Sequence, residues 1–269
     1  MRVERCFSFI DLCGFTAFTE RFGDELAVVA LARFRTALRE IAARRGVRIT
    51  KWLGDGAMLS SADTEGTVAM VLEVSANADA VLAPALRRAA ASEGNGYESA
   101  WPVLDLEPPG YEAGGHAARV NGARDDDRLA IRAGLARGPV IMFEGDDYIG
   151  RATNIASRLC DAAMPGQVLA TREVAAMAPR WAAASDALTY YVRGFDKPLE
   201  AARLQTGSSA SMVSDPICKL TLPLVSGLET RRRPGGVHSD GNVEYFCSTA
   251  CALAWEQAQR GEMSAPFPI

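Results

Sequence analysis

Along Val47-Arg48-Ile49-Thr50 apolar and polar side chains alternate, Ala57-Met58-Leu59 is apolar throughout, and Gly54-Asp55-Gly56 lies between them. Two strand-like runs about a glycine-flanked turn predict a β-hairpin with the Asp55 carboxylate at its tip. Nearer the N-terminus, Phe7-Ser8-Phe9-Ile10 predicts a central strand that runs into a second acid, Asp11. Between these strands the period changes. Leu31, Phe34, Leu38 and Ile41 recur at helical spacing, so a helix is expected from Asp24 to Arg44, with Gly46 as its stop. Thr67 to about Ala91 again reads as helix, carried by Val68, Val71 and Leu72, with Pro84 as a candidate break.

Residues 92–128 carry no such period. Gly94, Gly96, Pro102, Pro108-Pro109-Gly110 and Gly114-Gly115 predict an irregular, exposed insertion. Order returns with a strand at Leu129 to Ala133, a turn at Gly138-Pro139, and a strand at Val140 to Phe143. A loop at Asp146 to Gly150 then opens a helix on which Asn154 and Arg158, four residues apart, share one face. Pro165-Gly166 turns the chain into a strand at Gln167 to Ala170. A further helix follows, and Tyr190 to Gly194 leads to a last strand ending near Leu204. Strands mixed with helices and hairpins predict an α+β fold, a sheet layered by helices. Thr206 to Ser214 has linker composition. The expected division is therefore 1–205, a linker at 206–214, and a small Cys-containing C-terminal module at 215–262.

Composition changes this picture mainly by exclusion. At 269 residues, 48% apolar and 23% charged, the chain can bury a sizeable core. A net charge of -4 leaves no electrostatic footprint for nucleic acid or an anionic membrane. No apolar stretch approaches the ~20 residues of a membrane span. Arg2, Glu4 and Arg5 precede an apolar run too short for a signal peptide, so the cytoplasm is the expected location. Of the six cysteines, Cys6, Cys13 and Cys160 sit among apolar neighbours and are expected as buried thiols, whereas Cys218, Cys247 and Cys251 gather near the C-terminus.

The chemistry begins with the two strand-end acids. Asp11 and Asp55 offer the hard oxygen ligands that Mg²⁺ takes alongside substrate phosphates. Phe9 to Thr16, Lys51-Trp52-Leu53-Gly54-Asp55-Gly56 and Gly150 to Leu159 resemble signature stretches of class III adenylate/guanylate cyclase catalytic domains, and Ile131 to Gly134 and Arg193-Gly194-Phe195 match in the same order. The resemblance covers roughly residues 6–204, apart from the insertion, and implies the ferredoxin-like cyclase fold with a central, mostly antiparallel sheet. It implies that Asp11 and Asp55, with the Leu12 carbonyl, hold two Mg²⁺ or Mn²⁺ ions. One would make the ribose 3′-hydroxyl more acidic, and the other would bind the triphosphate as pyrophosphate leaves. By the same resemblance Asn154 orients the ribose, Arg158 stabilises charge on the transferring phosphoryl group, and Arg132 and Arg193 grip the terminal phosphates.

Lys51 and Asp147 fall on the family's base-reading positions. An ammonium only donates and an ionised carboxylate only accepts. Adenine offers an acceptor at N1 and a donor at N6, guanine the reverse, so the pair fits adenine. The implied reaction is ATP to 3′,5′-cyclic AMP and pyrophosphate. In the resembling family the site lies between two catalytic domains, so one chain with both residue sets implies a homodimer. A catalytically silent cyclase-fold protein that binds nucleotide or a partner is the alternative. Loss of a metal acid or of Arg158 would favour it, and none is lost; the insertion between the Asp55 hairpin and the Arg132 strand keeps it open.

Asp215-Pro216-Ile217-Cys218, together with Tyr245 to Cys251, resembles the YHS family, a small metal-associated module. Cys218, Cys247 and Cys251 suit a soft site for Zn²⁺ or another thiolate-preferring ion, with buried thiols in a degenerate module as the alternative. No fourth ligand is evident, His238 being one of only two histidines. A helix is expected from Ala252 to Arg260, with Trp255 packing on a core separate from that of the catalytic domain. A metal or thiol sensor with cyclase output is a further reading.

Overall fold

The computed structural model describes residues 1–83, 129–143, 147–209, 211–232 and 243–260. The insertion expected at 92–128, the helix beyond residue 83, and His238 lie outside the described residues. The first strand, β1 (Arg2–Cys13), outruns the apolar stretch that predicts it, so Asp11 lies inside the strand rather than at its end. Pairing is the reason. All of β1 is in register with β4 (Ala130–Phe143), from Arg2 opposite Ile141 to Cys13 opposite Ala130. The ladder therefore holds the backbone extended past the last apolar residue.

The same pairing removes the turn expected at Gly138-Pro139, where Gly138 faces Arg5 and Pro139 faces Glu4 within one continuous strand. Proline is tolerated in a sheet where no ladder donor is needed. Pro139 meets that condition: it lies between the part of β4 paired with β6 (Val168–Thr171) and the part paired with β5 (Asp147–Ile149).

Between β1 and β4 in sequence come α1 (Phe15–Phe22), α2 (Asp24–Arg44), the hairpin β2 (Arg48–Leu53) and β3 (Gly56–Ser61), and α3 (Thr64–Ala76). Helix α2 has the bounds its periodicity predicts. Helix α3 starts at Thr64 rather than Thr67, because the Asp63 side chain accepts from the Gly66 N–H and caps it. After β5 come α4 (Arg151–Ala162), β6, α5 (Arg172–Ala176), β7 (Ala182–Ala184), β8 (Leu188–Tyr190) and β9 (Leu199–Thr206). Among the described residues they complete a nine-stranded sheet of order β2-β3-β1-β4-β6-β9-β7, with β5 on β4 and β8 on β9. Every pairing is antiparallel except β4 with β6. This is the α+β, mostly antiparallel architecture expected from the sequence.

Alternation along the strands sorts side chains to two faces. Ile10 and Leu12 of β1, Leu59 of β3, and Ile131, Ala133 and Leu135 of β4 pack with residues of α2 and α3. Phe7, Met58, Ala136 and Val140 point the other way, against Ala152 and Ala156 of α4. Helix α4 sits directly on the sheet because residue 134 is glycine. A Cβ there would lie 2.2 Å from both the Ala156 carbonyl oxygen and the Cys160 nitrogen.

The C-terminal residues form two short ribbons, β10 (Met212–Ser214) with β11 (Thr221–Pro223) and β12 (Glu229–Arg232) with β13 (Val243–Phe246), then α6 (Thr249–Gln259). Strand β10 falls within the stretch of linker composition. Helix α6 begins at Thr249 rather than Ala252, since the Ser248 hydroxyl accepts from the Cys251 N–H and caps it. Trp255 packs on Phe246 with ring centroids 5.7 Å apart, as expected. The separate core is not found. Leu220, Leu222, Phe246, Cys251 and Trp255 are buried in one cluster with Phe34, Leu38, Val68 and Trp181. A unit this small buries too little surface by itself and gains by sharing a core. The indole N–H of Trp181 also donates to the Cys247 carbonyl oxygen at 2.8 Å.

A chain ended after Thr206 would lose one wall of this shared core. It should be less stable than the full chain by at least ~2 kcal/mol, the scale of exposing one large apolar side chain. The full chain should unfold in a single transition, seen alike by tryptophan fluorescence and far-ultraviolet circular dichroism. Two separated transitions would restore the picture of two cores.

Candidate active site

Asp11 and Arg132 are cross-strand partners on β1 and β4, and both face the α4 side of the sheet. The Asp11 Oδ2 accepts from Arg132 Nε at 2.9 Å and from Nη2 at 2.7 Å. Asp55 is brought in by the β2–β3 turn, which can approach β1 because residue 56 lacks a side chain. A Cβ on Gly56 would meet the Ile10 carbonyl oxygen at 2.7 Å and Asp11 Oδ1 at 3.1 Å. Asp11, Leu12, Asp55 and Arg132 together line a cleft of about 540 Å³. Burial pushes the Asp55 carboxyl up from its ordinary range, and the neighbouring Asp11 charge adds to that, while Arg132 opposes both. Two neighbouring acids beside a backbone carbonyl are a donor set that a hard divalent cation fits. Arg132 supplies a countercharge to Asp11.

Cys13 lines the same cleft and is only half-buried, unlike Cys6 and Cys160, whose thiols burial pushes up to about 12. The cleft also takes in residues 14–17, the start of α1, whose first amides have no intrahelical acceptor.

Lys51 and Asp147, 96 residues apart in sequence, form an ion pair at 3.2 Å, with side chains 49% and 46% exposed. Lys51 lies opposite Met58 on β3, a residue of the α4-side core, so its side chain leaves the sheet on the same face as the acids, and Asp147 meets it from the start of β5. Asn154 and Arg158 are exposed on α4, and Arg158 pairs with Asp161 at 2.8 Å. Arg193 lies in an exposed turn between β8 and β9. None of these five lines the cleft. A residue the sequence reading missed connects the two groups: Asp161 pairs with Arg158, lines the cleft, and accepts from Arg132 Nη1 through its carbonyl oxygen at 3.4 Å. Its position three residues after Arg158 on a helix was the available signal.

On the opposite side of the sheet, Cys218, Cys247 and Cys251 converge. The Cys247 sulfur lies 3.6 Å from that of Cys218 and 3.5 Å from that of Cys251. A fourth potential ligand, not evident from sequence, is Asp215: the four donor atoms all lie within 4.8 Å of one another. Hydrogen bonding among the thiols drives Cys218 strongly up and Cys251 down. Burial works against the charge of the nearby Arg45, but Cys247, Glu73 and the other thiols outweigh it and hold the guanidinium ionised.

A central strand carrying one acid, a hairpin tip carrying another, and helices on both faces of a mostly antiparallel sheet define a class: the fold is that of the class III adenylyl/guanylyl cyclase catalytic domains. Adenylyl cyclase CyaB from P. aeruginosa superposes with a TM-score of 0.55 at 20% identity, over 77% of this chain and 96% of that one. An adenylate cyclase from Trypanosoma brucei gives 0.54 at 21%, over 77% and 90%. The guanylyl cyclase Cya2 gives 0.53 at 17%, over 78% and 96%. No protein-family model matches the chain. In sequence it is 29% identical over 209 residues to uncharacterized proteins of Mycobacterium tuberculosis and Mycobacterium bovis, a match that takes in 77% of this chain and 43% of theirs. The chain thus matches less than half the length of these curated relatives. The C-terminal cysteine cluster is compatible with a metal module. No helix among the described residues is long and apolar enough to cross a membrane.

Arg132 occupies the Asp11 carboxylate; if that carboxylate is a cation ligand, Arg132→Gln should bind Mn²⁺ several-fold more tightly than the wild type in the absence of nucleotide. Electron paramagnetic resonance titration of free Mn²⁺ reads this directly. Weaker or unchanged binding would mean that Asp11 is not the cation's ligand.

Proposed function

We propose that the chain is an adenylate cyclase, converting ATP to 3′,5′-cyclic AMP and pyrophosphate at a site completed by a second copy of the chain. The observation that carries the reading is the Lys51–Asp147 pair, a donor-only and an acceptor-only group in contact, with Lys51 on the face of the sheet that carries Asp11. An adenine edge entering between them would give its N6 proton to Asp147 and accept from Lys51 at N1. A guanine edge would set donor against donor and acceptor against acceptor.

Asp11, Asp55 and the Leu12 carbonyl would hold two Mg²⁺ or Mn²⁺ ions, which when bound supply Lewis acidity toward the 3′-hydroxyl and countercharge to the triphosphate. The protein's own groups do the rest. The free first-turn amides of α1 border the cleft, where a phosphate is favoured by both hydrogen bonding and the helix dipole. Arg132, already held at the cleft wall by Asp11, stands where it can take a phosphate oxygen instead. Asn154 and Arg158, one turn apart on the open face of α4, are assigned to the ribose and to the transferring phosphoryl group, and Arg193 to the terminal phosphates.

Two features support a dimer. Asn154 and Arg158 are exposed and outside the cleft, so a complete site calls for a second surface. Ile141 and Ile149, cross-strand partners on β4 and β5, stand 47% and 55% exposed beside Phe143 at 48%, an apolar ladder suited to burial against another copy. We place the enzyme in the cytoplasm, where ATP is available.

Purified protein with Mn²⁺ should turn over ATP in preference to GTP, by a factor that polar complementarity can raise to ~10⁴. Equal turnover of both nucleotides would refute the base assignment. Asp55→Ala and Arg158→Ala should each keep no more than a few per cent of wild-type activity. Mixed together, they should regain activity, up to about half the wild-type level per heterodimer, because one of its two sites is then intact. No recovery despite demonstrated subunit exchange would place all these residues within one chain.

A further inference from the structure

The cleft and the cysteine cluster lie on opposite faces of the sheet, and one helix joins the cluster to the hairpin that presents Asp55. Arg45, which follows the last residue of α2, is buried with its side chain 1% exposed. Its guanidinium donates to Cys247 Sγ at 2.8 Å, to Ser248 Oγ at 2.9 Å, and to Glu73 Oε2 of α3 at 2.6 Å. Arg44 adds a second ion pair to Glu73. Earlier on the same helix, Arg35 Nη2 donates at 2.8 Å to the carbonyl oxygen of Gly54, the residue before Asp55. Arg35 and Arg39 also lie over the Trp52 ring of β2, at 4.9 Å and 5.0 Å from its centroid. Helix α2 is thus tied at its end to the cysteines and along its side to the hairpin that presents Asp55.

The cluster suits a soft cation. Sulfur separations of 3.5 and 3.6 Å approach the ~3.8 Å edge of a tetrahedron with ~2.3 Å metal–sulfur bonds. The Asp215 carboxylate accepts from the N–H groups of Ile217 and Cys218 through Oδ1 and from that of Cys247 through Oδ2. It therefore locks together the two segments that carry the thiols, whether or not it also ligates. Three thiolates on a divalent ion would keep a net negative charge, and the group facing it is Arg45. That charge strengthens the bond from Arg45 to Cys247 and with it the anchorage of α2.

We propose that a thiolate-preferring metal ion in the Asp215–Cys218–Cys247–Cys251 cluster stabilises the Asp55 hairpin through Arg45 and α2, so that the C-terminal module sets the readiness of the cleft. The regulatory half of this rests on the cyclase reading of that cleft; the mechanical half does not. Cluster occupancy and hairpin order are linked as two sites on one rigid lever, and the linkage is reciprocal.

The test uses the full chain, reduced and metal-free, titrated with Cd²⁺ alone. Thiolate-to-metal charge-transfer absorption counts the bound ion, and amide hydrogen exchange follows residues 48–56. One Cd²⁺ per chain should bind and slow exchange in that hairpin by at least ~5-fold, the lower end of ordinary coupling between sites. Arg35→Gln, which leaves the cluster untouched, should bind Cd²⁺ equally and lose most of the hairpin effect. Absence of stoichiometric binding would overturn the proposal. So would binding that leaves the hairpin's exchange unchanged, or an effect that survives in Arg35→Gln. None of these readouts needs turnover, so a chain inactive toward ATP would refute the cyclase reading alone.

Discussion

The rest of the molecule depends on the register between β1 and β4. Their antiparallel ladder runs the full length of β1, and it sets Asp11 against Arg132 and Phe9 against Gly134. A slip of one residue would exchange the two faces of the strand. Ile10 and Leu12 would turn toward α4, and Asp11 would enter the apolar layer beneath α2 and α3. Burying an unpaired carboxylate there would cost several kcal/mol, so the apolar pattern and the charge pattern enforce one register between them. The same register puts Gly134 where α4 needs backbone contact, and so fixes the helix that carries Asn154 and Arg158.

Two arginines then hold the two faces in different ways. Arg132 is about a quarter exposed beside an acid of similar exposure, a pair that water screens and a cation or phosphate can exchange. Arg45 and Glu73 are nearly inaccessible, with side chains 1% and 2% exposed. Buried ion pairs contribute little net stability, but removing one partner strands the other charge. Here the guanidinium, carboxylate and sulfur satisfy one another where α2, α3 and the C-terminal module meet. The first pair is suited to exchange during a reaction, the second to holding a frame.

Much of the frame is legible in the sequence. The helical period of α2 and the Gly-Asp-Gly hairpin were read at their observed positions, because both are local: one is set by side-chain spacing, the other by turn chemistry. The same reasoning failed at Gly138-Pro139, where local turn propensity lost to a long ladder that sequence spacing does not reveal. It also ended β1 too early, since a strand's length is decided by its neighbours as much as by its own apolar residues.

By itself, then, the sequence determined the periods, the hairpin, and the chemical kinds of the residues that matter: two hard acids, a donor-only and an acceptor-only side chain, and three soft thiols. Only the tertiary structure decided their company. It paired Asp11 with Arg132, closed Lys51 on Asp147, added Asp161 and Asp215, and buried Arg45 among the cysteines in a core shared by both ends of the chain. These contacts join residues from about 30 to more than 200 positions apart. Their free energy comes from removing specific charges and sulfur atoms from water together, and no pattern along one chain specifies which partners will share that burial.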